Sequence, residues 1–166
     1  METKVWIIGS SSGIGLELVK LCLQSNHKVI ASSRNAKKSE ELLQLKSTYT
    51  NKLELLDIDV SSNESVTKCV EEAFTVFNDL DICFFNAGVY DSMPLEQWDI
   101  SSFEAMINTN YLGAVRILKP LVSYLEKQKK ESRVILNASL SSYFGLPYGG
   151  AYSASKAALV NLAQSI

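Results

Sequence analysis

The apolar run Val5-Trp6-Ile7-Ile8 stops abruptly at Gly9-Ser10-Ser11-Ser12-Gly13-Ile14-Gly15, after which Leu16, Leu18, Val19, Leu21, Cys22 and Leu23 follow. A short apolar run entering a glycine-rich turn reads as a buried strand. The residues beyond it read as a helix buried over a wide arc. Strand, glycine turn and helix in this order form the context in which glycines hold a dinucleotide. Gly9 then allows the tight turn, Gly13 lets a pyrophosphate approach the backbone, and Gly15 lets the helix pack close to the strand. The phosphates would meet free N–H groups at the start of the helix, where Ser11, Ser12 and Ile14 stand. The spacing is G-x-x-x-G-x-G, and a plain tight turn is the competing reading.

The same alternation continues along the chain. The pattern predicts strands at 3–8, 28–33, 53–58, 81–86 and 133–138. Helices are expected at 13–25, 36–48, 62–77, 102–128 and 152–166, with Ser61 and Glu64 as a capping box opening the third. Short strands separated by helices predict an α/β fold, a doubly wound parallel sheet with helices on both faces. No repeat, low-complexity stretch or linker divides the sequence, so 1–166 reads as one domain. Ligands of such sheets bind at the carboxyl ends of the strands. The glycine turn, Asp59, Asn86 and Ser139 all fall there.

Tyr152 and Lys156 stand four residues apart in Tyr-Ser-Ala-Ser-Lys, about one helical turn, and so share a helix face. A fixed ammonium favours the phenolate. At about 4 Å and an effective dielectric of ~20 the attraction is roughly 4 kcal/mol, about three pKa units at most. That places such a tyrosine in the range useful for proton transfer near neutral pH. An amphipathic helix that merely carries both residues is the alternative.

Composition narrows the partners. The net charge is −2, which gives no footprint for nucleic acid or a membrane surface. No apolar run approaches the ~20 residues of a membrane span. Lys4-Val5 already reads as the first strand, so no signal peptide is expected, and the chain reads as cytoplasmic. Cys22, Cys69 and Cys83 lack metal-site spacing and read as reduced packing residues. No metal site is expected. His27 reads as a surface residue. Lys127, Lys129 and Lys130 read as capping and solvating a helix end. Tyr90, Met93, Leu140, Tyr143, Phe144, Leu146 and Tyr148 suit either a pocket rim or packing.

The motifs together resemble those of the short-chain dehydrogenase/reductase family, along the whole chain. The family's glycine motif is T-G-x-x-x-G-I-G, with Ile8 here in place of the threonine. Asn86-Ala87-Gly88 matches the end of its N-N-A-G motif, with Phe85 replacing the first asparagine. Asn110 in Asn-Thr-Asn-Tyr-Leu-Gly, Ser139, Tyr152 and Lys156 match its catalytic tetrad. Asp59-Val60 matches the position used near the adenine. The resemblance implies a Rossmann-like sheet of order 3-2-1-4-5, lacking the family's usual last two strands and substrate loop. Its implied chemistry is hydride transfer between a nicotinamide and a carbonyl or alcohol, with Tyr152 as general acid/base. Lys156 is expected on the nicotinamide ribose, Ser139 on the substrate oxygen, and Asn110 in a water relay. Ser33 occupies the position where an acidic residue would hold an NAD ribose, and Arg34 follows it. A permanent forked cation there favours the 2′-phosphate of NADP, with NAD possible. Ser12 departs from the basic residue that many NADP-dependent relatives carry. The helix around Phe103–Leu125 resembles the family's subunit contact, so a homo-oligomer is expected. A non-catalytic dinucleotide-binding or interaction module is the alternative function.

Overall fold

The computed structural model describes residues 2–166. Five strands form one sheet: β1 (Lys4–Ile8), β2 (Lys28–Ser33), β3 (Leu53–Asp57), β4 (Ile82–Phe85) and β5 (Arg133–Leu136). Their order is β3-β2-β1-β4-β5, and every neighbouring pair is parallel. The order reverses between β1 and β4, so the crossovers on either side leave a crevice at the strand ends there.

Strand periodicity sends alternate residues to opposite faces. Trp6, Ile8 and Ile30 face a core shared with Val66, Val70, Ala114, Ile117 and Leu121. Those partners come from helices α3 (Asn63–Phe77) and α5 (Gly113–Lys127). Val5, Ile7, Val29 and Ala31 face the other core, with Leu16, Val19 and Leu42. Helices α1 (Gly13–Gln24) and α2 (Glu40–Thr48) cover that side. The sheet is therefore doubly wound, as the alternation predicts. Trp6 is fully buried, and its indole N–H donates to Ser32 Oγ at 2.9 Å.

Several boundaries differ from the sequence pattern. The helix expected at 36–48 divides into a 3-10 turn, Ala36–Lys38, and α2, because Ser39 takes an extended backbone. The Lys37 N–H is pinned to Asp57 Oδ1 at 3.0 Å, which holds the turn against the end of β3. The expected capping box at Ser61 and Glu64 is absent. Ser61 instead gives its N–H and hydroxyl to the Asp59 carboxylate, at 2.9 and 2.6 Å. The cap of α3 moves one residue on, to Ser62, whose Oγ accepts from the Ser65 N–H. The long helix begins earlier than expected, as α4 (Ile100–Met106), because Asp99 caps it. It passes through a π-helical segment, Ile107–Leu112, into α5. The last helix, α6 (Gly150–Gln164), also starts two residues before the sequence pattern suggests.

Of the lysines expected at the end of α5, Lys127 stands in its last turn, while Lys130 joins an ion-pair network. Lys130 pairs with Asp81 at 2.8 Å and also with Asp79. Lys4 pairs with Asp79 at 2.9 Å. Three strands are tied together at their amino ends, away from the crevice. His27 is half-buried, and its Nδ1 accepts from the Thr3 N–H. The three cysteines are free thiols. Burial pushes the Cys69 thiol up to about 12 and raises that of Cys83. No helix among the described residues is long and apolar enough to cross a membrane.

Candidate active site

The glycine turn closes on the crevice. Gly9 has φ +89°, and a Cβ there would lie 2.5 Å from the Ala87 nitrogen. The turn and the end of β4 therefore touch backbone to backbone. A Cβ on Gly15 would lie 2.0 Å from the Gly9 carbonyl oxygen, so helix α1 packs directly on the turn. Gly13, at φ +54°, has nothing within 4 Å of its would-be Cβ. Ser12 caps α1 by backbone alone and makes no side-chain cap bond. Free N–H groups thus face open space at the start of the helix.

A cleft of about 510 Å³ lies over the ends of β1 to β4. Gly9, Ser11 and Ser12 line one wall. Ser33, Arg34, Asp59 and Val60 line one end, and Asn86, Ala87, Gly88 and Val89 the other wall. Arg34 is exposed, while Ser33 is buried with a hydroxyl that has no hydrogen-bond partner. Hydrogen bonds from Ser61 hold the Asp59 carboxyl below the ordinary carboxylate range. Lys38, which the sequence reading does not single out, lines the same end as Arg34. Its only sequence signal is its place just after β2.

A second cavity, about 220 Å³, is lined by Ile14, Asn137, Tyr152 and Lys156 and shares Asn86, Gly88 and Val89 with the cleft. The two spaces are neighbours across one short segment. Asn86 builds that wall: its Nδ2 donates to the Gly9 carbonyl at 2.8 Å, and its Oδ1 accepts from Asn137 Nδ2 at 2.7 Å. The ends of β1, β4 and β5 are held together by these two amides. Phe85, beside Asn86, lies in the core, where a Cβ on Gly113 would approach its ring at 3.4 Å.

Lys156 is buried, and its ammonium donates to the Asn137 carbonyl at 2.7 Å. Burial lowers the pKa of its ammonium. The same nitrogen lies 5.7 Å from the centroid of the Tyr152 ring, over its face. Tyr152 also meets Tyr90 edge-on, with ring centroids 4.8 Å apart. Asn137 thus serves Lys156 and Asn86 at once, although sequence reading passes it over. Its position at a strand end, two residues before Ser139, is the signal that could have flagged it.

Asn110 is fully buried in the π-helical segment. Its Oδ1 accepts from the Val89 N–H at 2.7 Å. Its Nδ2 donates to the Val89 carbonyl at 2.9 Å and to Ser155 Oγ at 3.0 Å. The Ser155 hydroxyl in turn donates to the Tyr152 carbonyl at 2.7 Å. Asn110, Ser155 and the helix bearing Tyr152 are therefore one polar unit. Single-turn π segments recur at functional sites because they reorient a side chain without ending the helix. Ser139 stands apart from this unit. It caps a 3-10 turn, Leu140–Ser142, where its Oγ accepts from the Ser141 N–H at 3.2 Å.

The model of the short chain dehydrogenase family matches residues 3–166. Estradiol 17-beta-dehydrogenase 1 of Rattus norvegicus is 35% identical over 99% of this chain and 49% of its own length. A 3beta-hydroxysteroid dehydrogenase 2 of Eggerthella lenta is 30% identical over 96% of this chain and 62% of its own. The chain thus spans about half to three fifths of the length of these relatives. A solved structure of ElxO with NADP bound superposes with a TM-score of 0.89 at 28% identity, covering 98% of this chain and 65% of that one. The glycine turn, the two asparagine bridges and the buried lysine beneath Tyr152 are set in a chain that belongs to the short chain dehydrogenase family.

Proposed function

We propose that residues 1–166 form an NAD(P)-binding Rossmann domain of an NADP(H)-dependent oxidoreductase that interconverts a carbonyl and an alcohol. One observation carries the reading. The cavity holding Tyr152 and Lys156 adjoins the glycine-turn cleft across Asn86, Gly88 and Val89. An extended dinucleotide laid along both would bring its far end to Tyr152. The residues fit such a group. Arg34 and Lys38 line one end of the cleft beside Ser33, and the space beside Gly13 is open. Two cations, Arg34 and Lys38, outnumber the one carboxylate at that end, Asp59, and suit a phosphate there, with Ser33 where a ribose-holding carboxylate would repel one. The NADP-bound relative ElxO supports the same choice.

When bound, NADPH supplies the hydride that converts the carbonyl carbon to an alcohol carbon. Tyr152 gives the proton to the carbonyl oxygen, and in the reverse direction takes it from the alcohol. Lys156 would hold the ribose hydroxyls beside the nicotinamide with its ammonium. Ser139 donates its O–H to the substrate oxygen while its Oγ goes on accepting from the Ser141 N–H. Asn110 holds the Gly88–Val89 segment against the cofactor and orders the helix of Tyr152 through Ser155. Asp59 and Val60, which line the cleft, would flank the adenine. The helix pair α4–α5 forms a contact between two copies of the chain.

A dinucleotide-binding module without turnover is the second reading. Ser139 favours it by lying outside the hydrogen-bonded unit of Asn110, Ser155 and the helix of Tyr152. Titration with NADPH and NADH, followed by reduction of a ketone panel by the wild type and Tyr152→Phe, separates the two. The oxidoreductase reading requires tighter NADPH binding, turnover by the wild type, and a loss of ~100-fold or more in the variant with binding kept. Unchanged turnover in Tyr152→Phe would overturn it, and tight NADPH binding with no turnover on any ketone would favour the module.

A further inference from the structure

Tyr148 has φ +62°. For a bulky side chain this left-handed backbone is a genuine outlier. Two glycines follow it, and either would take such a φ without steric penalty. Neither does: the positive-φ glycines are Gly9 and Gly13, and Gly149 stands at −105°. The strain is therefore placed on the aromatic residue. Strain of this kind persists only where the surroundings enforce it, and it concentrates at sites that bind or react.

The surroundings are specific. The Tyr148 carbonyl accepts from the Met93 N–H at 2.9 Å, which clamps the loop before α6 to the loop after β4. Met93 is buried in a small core with Met106 and Ala151, and Tyr152 packs against that core. Around the clamp the surface is aromatic and open. Tyr143 is 76% exposed, Tyr148 62%, Tyr90 56% and Phe144 53%. Tyr90 lines the cavity and meets the Tyr152 ring, so it joins the aromatic surface to the cavity. From Val134 through Ser155 no side chain is charged. The charge in the loop leading from β4 to Pro94 is Asp91, an anion. Lys156, the cation on the cavity wall, already donates to Asn137.

We propose that Tyr148, held in its left-handed conformation, fixes an uncharged aromatic loop beside Tyr152, and that this loop selects neutral, ring-bearing ketones and secondary alcohols. The proposal rests on the oxidoreductase reading of the same site. Flat apolar rings gain burial and edge or face contacts against such a surface. A carboxylated or phosphorylated substrate would lose water there without meeting a cation. Tyr148 is a positioning residue, acting through the loop.

The test uses the 166-residue chain with NADPH and three ketones: 2-decalone, its ring-carboxylated counterpart, and acetone. The wild type should prefer 2-decalone over both by at least ~10-fold in kcat/KM. Tyr148→Gly relieves the strain and should keep or raise the Tm. It should lower the 2-decalone to acetone ratio of kcat/KM at least ~10-fold, through KM. Tyr148→Phe, with ring and strain retained, should keep the ratio. A preference for the carboxylated or the small ketone would overturn the proposal. So would an unchanged ratio in both Tyr148→Gly and Phe144→Ser, or a Tm loss with all three KM values moving alike. If no ketone turns over, 2-decalone binding to the NADP-loaded protein decides by calorimetry. Binding that weakens in Phe144→Ser upholds the aromatic loop while the oxidoreductase reading falls. Absence of binding overturns the loop proposal too.

Discussion

Asn110 pairs with Val89 as one strand pairs with another: its side-chain amide accepts from the Val89 N–H at 2.7 Å and donates to the Val89 carbonyl at 2.9 Å. The π-helical segment aims that amide at a backbone that has already left β4 and has no strand beside it. A Cβ on the preceding Gly88 would lie 3.3 Å from Asn110 Oδ1 and 3.6 Å from Lys156 Nζ. The wall between the two cavities is thus held from the helix side.

Removing this amide should be felt as lost stability and lost order together. Asn110→Ala leaves both Val89 groups without their partner and removes the donor to Ser155 Oγ, at a cost of about 1–3 kcal/mol. Asn110→Asp keeps the acceptor but loses both donations, so it should also destabilise. Thermal melts of the free chain are the measurement. Wild-type Tm in both variants would show that the wall holds itself.

The fold was legible because its signals are local and repeated. Five apolar runs and the turns between them predict the parallel sheet, and the resemblance supplies its order, which the structure shares. What local pattern could not supply was the competition among neighbouring polar groups. Ser61 fits a capping box, yet Asp59 is two residues away and takes both of its protons. Lys130 fits a helix cap, yet the fold brings Asp79 and Asp81 to it from fifty residues back. The site was legible where it had motif spacing, as with Tyr152 and Lys156. Asn137 and Ser155 act through contacts between distant elements, and a single sequence carries no mark of those. The π segment has no local mark either: its sequence, Ile-Asn-Thr-Asn-Tyr-Leu, reads as ordinary helix.

Cofactor choice should turn on the end of the cleft. Arg34→Ala should weaken NADPH by roughly 10–100-fold, the worth of one or two charge-assisted hydrogen bonds, and leave NADH nearly unchanged. Lys38→Ala should act the same way, more weakly. Ser33→Asp should reverse the preference, since a carboxylate accepts from ribose hydroxyls and repels a phosphate. Calorimetric titration of each variant with both cofactors checks this, and equal NADPH and NADH affinity in the wild type would remove the phosphate assignment.

The network at the amino ends of the strands should set part of the acid limit. Desolvation pushes the carboxyl groups of Asp79 and Asp81 upward. Hydrogen bonds from Lys130 and from Lys4 outweigh it, so both pKa values lie below the ordinary range. Their contribution is present above the unfolded-state pKa of ~3.9 and fades as pH falls through the folded values. Asp79→Asn should therefore lower the Tm at pH 7, and its deficit against the wild type should shrink below pH ~4. Thermal melts between pH 2 and 7 read the difference directly. A deficit that stays constant across the range would show that the network does not titrate in this way.

Lys156 should cost the free chain stability that the cofactor returns. Its ammonium is buried with a carbonyl, Asn137, as its hydrogen-bond acceptor, and no salt bridge to it is present among the described residues. A buried cation without an anion is unfavourable, and burial lowers its pKa accordingly. Lys156→Met keeps the stem's bulk and removes the charge, so the variant should melt at or above the wild type when no cofactor is present. The sign with pH follows from the same shift. Between the lowered folded pKa and the unfolded value near ~10.4, the unfolded chain binds the proton and the folded chain does not. The wild type should therefore gain on Lys156→Met as pH rises through that window. Adding NADPH at neutral pH should reverse the order, because the ammonium then meets ribose hydroxyls in the wild type and nothing replaces it in the variant. Melts of both proteins, with and without NADPH, at pH 7 and 9.5 give all four comparisons. A variant that melts well below the free wild type, with no recovery of the gap by cofactor or pH, would mean that Lys156 is held for structure alone.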